Sequence, residues 1–302
     1  MGTPDFAVPA LNALHKSIHE VMFVVTQPDR PVGRGRKLRP PPVKETSVNL
    51  GYEVIQPESV RTDEFADRIK EANPDLFVVV AFGHILTEKI LALPQIGAVN
   101  IHASLLPKYR GAAPIQWAVI SREKETGVTT MLMDAGMDTG DILLSEKIGI
   151  DPDDTSGSLH DRLSVTGADV LIKTLKNFDK IKPVSQDHAH ATCAPPLNKK
   201  DGHIDWKKPA ESLDALIRGV TPWPGAYTFH GDKRLKIFRV KTLATDTGEP
   251  PGTVIRGFPD ELRIATGEGI LSVLEIQGAS GKRLLIKDFL RGYEMSPGTV
   301  LT

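Results

Sequence analysis

The chain has 302 residues, with 37 Lys and Arg against 38 Asp and Glu and a formal net charge of −1. Apolar residues make up 40% and charged residues 25%. These are globular proportions over a length of about two domains, so a disordered or collagen-like chain is excluded, and so is a global field drawing the molecule to nucleic acid or membrane. The single cysteine, Cys193, excludes an intrachain disulfide framework and a cysteine zinc site, and reads as a small half-buried side chain in a reducing compartment.

The chain opens on Met1-Gly2-Thr3-Pro4-Asp5, which is neither basic nor apolar and so is no signal peptide. It reads as the turn that follows a strand and opens a helix, with Thr3 or Asp5 near the cap. A parallel sheet would place an apolar strand ahead of Met1. We therefore expect such a strand upstream; without it two neighbouring strands lose a partner and expose backbone groups.

Residues 21–26 (VMFVVT), 76–82 (LFVVVAF) and 98–102 (AVNIH) predict strands buried on both faces. Residues 63–72 and 87–93 predict amphipathic helices capped by Thr62 and Thr87. The alternation means βαβ units and a parallel sheet. The apolar run at 76–82 is the longest and falls far short of the roughly 18 residues a membrane helix needs, so a soluble, cytoplasmic protein with no membrane partner is expected. Residues 129–134 and 142–150 predict two more strands, and 156–175 a long helix. Around Pro183, Pro195 and Pro196 periodicity is lost, and 182–200 reads as a linker.

Beyond it, 210–219 predicts a helix. Segments 226–230, 234–243, 252–256, 261–265, 271–276 and 283–286 predict short strands, with turn signals at roughly 8–12-residue spacing. The expected fold is α/β. Residues 1–182 form a doubly wound, mostly parallel Rossmann-like sheet, 183–203 a linker, and 204–302 an OB-like β-barrel.

Chemistry concentrates at the carboxyl end of the 98–102 strand, where open α/β sheets place their ligands. Asn100 and His102 are two residues apart and point to one face. An amide donor beside an imidazole suits a reaction that develops an oxyanion: the amide donates to the oxygen and the imidazole moves or donates a proton. Asp138 lies in Met133-Asp134-Ala135-Gly136-Met137-Asp138-Thr139-Gly140-Asp141, a turn-rich segment without EF-hand spacing. A carboxylate reaching His102 would orient the ring and favour the imidazolium. Ser104, Leu105, Leu106 and Pro107 open a loop that enters a helix near Ile115. Its backbone can bond a planar heterocycle while the leucines supply apolar walls.

Residues 30–44 (RPVGRGRKLRPPPVK) hold six Lys or Arg and no acid. With two glycines inside and prolines at both ends the segment cannot be a regular helix or central strand. A flexible basic insertion in a neutral protein suggests an arm that contacts phosphate, with Arg34, between glycines, freest to reach. Residues 199–302 carry 16 Lys or Arg against 13 Asp or Glu, a mild basic excess compatible with a barrel that binds nucleic-acid backbone.

Five stretches together resemble one family. MGTPDFAVP at the start, TQPDRPVGRGRKL at 26–38, NIHASLLPKYRGAAPIQWA at 100–118, MDAGMDTGD at 133–141 and IDW…PWPGA at 204–226 are similar, in order along the whole chain, to the methionyl-tRNA formyltransferases. Relatives in this family have a short apolar strand directly before GTPDF. The resemblance implies transfer of a formyl group from 10-formyltetrahydrofolate to the α-amino group of initiator methionyl-tRNA by a monomer, with no metal. The family's catalytic trio falls on Asn100, His102 and Asp138, and its folate-contacting segment on Ser104, Leu105, Leu106 and Pro107. Its tRNA-facing loop falls on Arg34, Arg36 and Lys37, and a basic linker that touches tRNA on Lys199 and Lys200.

The implied mechanism has a neutral amine attack the formyl carbon, with the oxyanion held by Asn100 and protonated His102 while Asp138 orients the ring. An amino-sugar formyltransferase or a formyltetrahydrofolate hydrolase-like enzyme shares this chemistry but has no need of a long basic arm. A nucleic-acid-binding protein with a vestigial trio is a third alternative, opposed by intact Asn100, His102 and Asp138.

Overall fold

The computed structural model describes residues 1–32, 37–245, 247–255, 260–279 and 281–302. In chain order the elements are α1 (Val8–His15), β1 (Val24–Val25), β2 (Arg30–Val32), β3 (Lys37–Arg39), α2 (Pro42–Asn49), β4 (Val54–Ile55), α3 (Asp63–Ala72), β5 (Leu76–Val80), α4 (Glu88–Leu91), β6 (Gly97–His102), α5 (Pro114–Ile120), β7 (Glu125–Leu132), β8 (Ile142–Gly149) and α6 (Ser156–Lys176). They continue with α7 (Ala210–Gly219), β9 (Ala226–His230), β10 (Lys233–Leu243), β11 (Leu262–Ala265), β12 (Ile270–Gln277), β13 (Leu284–Leu285) and α8 (Ile286–Leu290). Contacts gather the residues into two compact units. One comprises Met1–Pro114, Glu125–Gly149 and His160–Ala194; the other comprises Ile115–Lys124, Ile150–Leu159 and Pro195–Thr302.

In the first unit β5 and β6 run parallel, β7 and β8 continue the sheet antiparallel, and β1 pairs parallel with β4. Met1 and Gly2 join the two sheets. The Met1 amine donates to the Val78 carbonyl at 2.7 Å, the Val80 N–H donates to the Met1 carbonyl at 2.9 Å, and the Gly2 N–H donates to the Val25 carbonyl at 3.0 Å. Gly2 is required by this close fit, since a Cβ there would stand 2.8 Å from Ala7 Cβ. A cavity of about 430 Å³ adjoins them, lined by Met1, Leu14, Met22, Phe23, Leu76 and Phe77 among others.

The apolar stripe of α3 explains its place. Phe65, Ala66 and Ile69 are buried in a core that includes Val25, Phe77, Val79, Phe82 and Ile90. Thr62 caps the helix by accepting the Phe65 N–H at 3.3 Å, and Asn73 ends it in the left-handed conformation. Thr62→Ala should cost about 1 kcal/mol, read as a shift in the urea midpoint at constant slope. Thr87, in contrast with the sequence expectation, makes no side-chain cap bond to α4, which is only one turn long and has little to gain from one.

Other differences have local causes. The strand expected at 21–26 narrows to β1, two residues long. The basic segment is not irregular throughout: β2 and β3 pair as a separate antiparallel hairpin, and α2 starts at Pro42, where a proline's missing N–H is harmless. Residues 33–36, including Arg34 and Arg36, lie outside the described residues. The 252–256 segment forms only isolated bridges at Thr253 and Val254, with residue 256 outside the description, and 283–286 gives the two-residue β13 before turning into α8. Cys193 is exposed rather than half-buried.

In the second unit β11, β12, β10 and β9 form an antiparallel sheet in that order, with β13 on β12. Register shifts around Arg239 on β10 increase local twist and help the sheet curl into a partial barrel. Alternate residues Leu235 and Ile237 of β10 point inward, as do Leu213 and Ile217 of α7. Trp206 is buried and donates its indole N–H to Thr228 Oγ1 at 2.9 Å. Among the described residues no helix is long and apolar enough to cross a membrane.

Candidate active site

β6 carries Asn100 and His102 out of the sheet core. Ala98, Val99 and Ile101 are buried on its two faces, which fixes the strand's register, and the period of two puts the two polar side chains on one face. Asn100 is half-buried. Its side-chain amide bonds to no described residue, which leaves both N–H groups uncommitted.

His102 is held at both ring nitrogens. Nε2 meets the Tyr109 carbonyl at 2.9 Å. A carbonyl can only accept, so Nε2 carries a proton and donates it. In the neutral ring that leaves the lone pair on Nδ1. Nδ1 faces Asp138 Oδ2 at 3.6 Å, an ion-pair distance, with the two side chains 7% and 17% exposed. Asp138 Oδ2 also accepts the Gly111 backbone N–H at 2.8 Å. The segment Tyr109–Gly111 therefore fixes both partners of the pair, one through a carbonyl and one through an N–H.

The backbone around the pair adopts conformations that need support. Tyr109 has φ +60° and Asp138 φ +55°, left-handed values that cost a non-glycine residue about 1 kcal/mol or more. Hydrogen bonds hold them. Tyr109 donates its N–H to Thr192 Oγ1 at 2.8 Å, and the Arg110 N–H and carbonyl pair with Thr192 and Ala194 at 2.8 and 2.7 Å. Asp134 Oδ1 accepts from Gly136 N and Thr139 Oγ1 at 3.0 and 2.6 Å, shaping the turn before Asp138.

Ser104 is fully buried and its hydroxyl donates to the Lys108 carbonyl at 2.6 Å, so its bond shapes the loop from within. Thr129 Oγ1 on β7 donates to the Ser104 carbonyl at 2.7 Å and accepts the Leu106 N–H at 3.2 Å. Leu106 is buried, while Leu105 and Pro107 are half-buried and present apolar surface beside the strand end.

The structure thus brings His102 and Asp138 together, with Asn100 on the strand face of His102. It places Lys37 exposed on β3, and Lys199 and Lys200 exposed on a single-turn helix over Lys199–Gly202, capped by Asn198. Sequence reasoning missed Arg110, Gly111, Gln186 and Thr192. The Gly111 backbone, at φ +120°, was marked only by its residue type. Gln186 and Thr192 lie in an aperiodic stretch without any signal. Among the described residues no three His, Cys, Asp or Glu side chains converge as metal ligands.

Residues 1–175 match the formyl transferase family model, and residues 196–294 the model for the formyl transferase C-terminal domain. The chain is 50% identical over 304 residues to the methionyl-tRNA formyltransferase of Caldanaerobacter subterraneus subsp. tengcongensis, covering 100% of this chain and 98% of the relative. It is 51% identical over 303 residues to that of Desulfotalea psychrophila, covering 100% and 94%. Solved structures share the fold. A sugar 3N-formyl transferase, WlaRD, crystallised in the presence of dTDP and 5-N-formyl-THF, aligns with TM-score 0.68 at 19% identity, over 93% of this chain and 97% of that one. The methionyl-tRNA formyltransferase from Clostridium thermocellum aligns with TM-score 0.55 at 20% identity, over 73% and 93%.

Proposed function

The chain belongs to the methionyl-tRNA formyltransferase family, and we propose that Asn100, His102 and Asp138 carry out the family's reaction, transfer of the formyl group of 10-formyltetrahydrofolate to the α-amino group of methionyl-tRNA. One observation supports these roles above the rest. The Tyr109 carbonyl holds His102 Nε2–H, which turns Nδ1 toward Asp138, and the ring shares a strand face with the uncommitted Asn100 amide.

When bound, 10-formyltetrahydrofolate supplies a formyl group activated by its bond to N10. The loop 104–107 suits such a ligand: Leu105 and Pro107 offer apolar surface to a planar ring, and Ser104 holds the loop in shape. Asn100 donates hydrogen bonds to the formyl oxygen as negative charge builds there, and the positive charge of the His102 ring, on the same strand face, stabilises that oxyanion. Asp138 stabilises the imidazolium and, through water, accepts the proton lost by the attacking amine. That proton finishes on N10 as the carbon–nitrogen bond to the donor breaks, so charge and protons balance with no covalent enzyme intermediate.

Recognition of the acceptor falls to the basic residues. Exposed Lys37, Lys199 and Lys200 contact tRNA phosphates, with Arg34 and Arg36 between β2 and β3. We assign residues 1–182 to catalysis, 183–203 to the connection and 204–302 to tRNA binding by a cytoplasmic monomer. In the second unit the Arg234 guanidinium lies 3.7 Å over the Tyr227 ring, beside His203, a basic and aromatic strip that favours RNA over a nucleotide sugar.

Formyl transfer is measured with charged initiator methionyl-tRNA, charged elongator methionyl-tRNA and a UDP-amino sugar as acceptors. Preference for the initiator is expected. Transfer to the sugar alone would replace this reading with the amino-sugar alternative.

A further inference from the structure

Gln186 is 5% exposed, and all its amide groups are engaged. Its Nε2 donates to the Asp138 carbonyl at 2.9 Å and the Gly140 carbonyl at 2.7 Å. Its Oε1 accepts from Arg110 Nε at 3.1 Å and Arg110 Nη2 at 2.7 Å. One end of the amide therefore grips the loop that carries Asp138. The other grips Arg110, which lies between Tyr109, whose carbonyl holds His102 Nε2, and Gly111, whose N–H holds Asp138 Oδ2.

We propose that Gln186 is a positioning residue for the formyl transfer, setting the separation of His102 Nδ1 and the Asp138 carboxylate by tying their two loops to one planar group. Three features carry this. Asp138 keeps a left-handed φ of +55°, which needs neighbours to hold it. Both N–H groups of Gln186 go to carbonyls of that same turn, on either side of Thr139. A buried side chain with both donors and its acceptor engaged is rigid, and a tie of this kind is sensitive to the loss of any one bond. No other residue type keeps the set. A glutamate would keep the Arg110 contact but turn a carboxylate toward two carbonyls; a leucine of similar size would lose every bond.

The inference rests on the roles proposed above for His102 and Asp138, and its test separates the two. Single-turnover rates, KM values and melting temperatures are compared for Gln186→Leu, Gln186→Glu, Asp138→Ala and Gln186→Leu combined with Asp138→Ala. A loosened pair should lower the rate about 10–100-fold, with KM for both substrates changed less than about threefold. In the Asp138→Ala background Gln186→Leu should have almost no further effect on rate, because the group it positions is gone, while its cost in melting temperature persists. Gln186→Glu should also be slow; if Gln186→Leu fails to fold, it carries the same cycle.

A wild-type rate for either folded Gln186 variant, beside a slow Asp138→Ala enzyme, overturns the inference and leaves the site reading standing. An equal rate loss in both backgrounds overturns it too, by showing a general structural role. A near-normal rate for Asp138→Ala overturns the site reading itself and the inference with it.

Discussion

Asn100→Ala should lower kcat by about 10²–10³ while leaving the protein folded. The amide bonds to no described residue, so its removal strands no partner and costs little stability. A donor aimed at a developing oxyanion typically contributes that much, because the bond strengthens only as charge builds. KM for 10-formyltetrahydrofolate should move far less than kcat. His102→Ala should cost about 10²–10³ for the loss of the imidazolium that stabilises the developing oxyanion. It should also lower stability by about 1 kcal/mol, because the bond from Nε2 to the Tyr109 carbonyl is lost. The two effects are read separately, by stopped-time formylation assays and by thermal melts. A folded Asn100→Ala enzyme with near-normal kcat would remove the amide from the mechanism. A melt midpoint that drops steeply for Asn100→Ala would show that the amide has a structural bond.

How much of this was legible depends on the range of the interaction. The strand under the site could be read because Ala98, Val99 and Ile101 are apolar on both faces, and period-2 geometry then puts Asn100 beside His102 without further information. Helices α3 and α7 were legible for a similar reason: each shows a full apolar stripe, and the observed bounds Asp63–Ala72 and Ala210–Gly219 are those of the pattern. Helix α2 was hidden because a run of prolines reads as a breaker, and only position distinguishes a proline at the first helical turn from one that ends a helix. β1 and β13, two residues each, contain too little pattern to bound. The approach of Asp138 to His102 was beyond sequence reasoning in a stricter sense. It depends on two left-handed residues, Tyr109 and Asp138, and on bonds from Gly111, Gln186 and Thr192, none of which has a periodic signature. What the residues themselves specified was the chemistry available at the strand end. The geometry that makes it usable comes from a stretch that looked like a connection.

Gly140→Ala should damage that geometry and the fold together. A Cβ at Gly140 would stand 1.7 Å from the Leu132 carbonyl oxygen on β7, where Cβ contacts in real proteins stay above about 3.0 Å. Both atoms in the clash are fixed to backbone, so no side-chain rotation can relieve it; one chain must move by about 1 Å. Gly140 is also anchored at its carbonyl by Gln186, and Leu132 is tied to the next residue by its N–H, which donates to the Asp141 carbonyl at 2.9 Å. Movement therefore breaks one of these bonds or rotates the turn that holds Asp138 at φ +55°. Overpacking of this kind costs typically about 1–3 kcal/mol, and a displacement of about 1 Å in a catalytic group costs about 10²-fold in rate. Gly136→Ala is the comparison that isolates the effect. Its added Cβ would meet Thr139 Oγ1 at 2.0 Å, a side-chain atom that can rotate away at the cost of its bond to Asp134 Oδ1, with no backbone atom in the clash. Gly140→Ala should thus lose about 100-fold in kcat and melt several degrees lower, while Gly136→Ala loses much less of both. If Gly140→Ala turned over at the wild-type rate, the turn would have to be able to shift without moving Asp138, and the left-handed residue would not be the fixed point of the site.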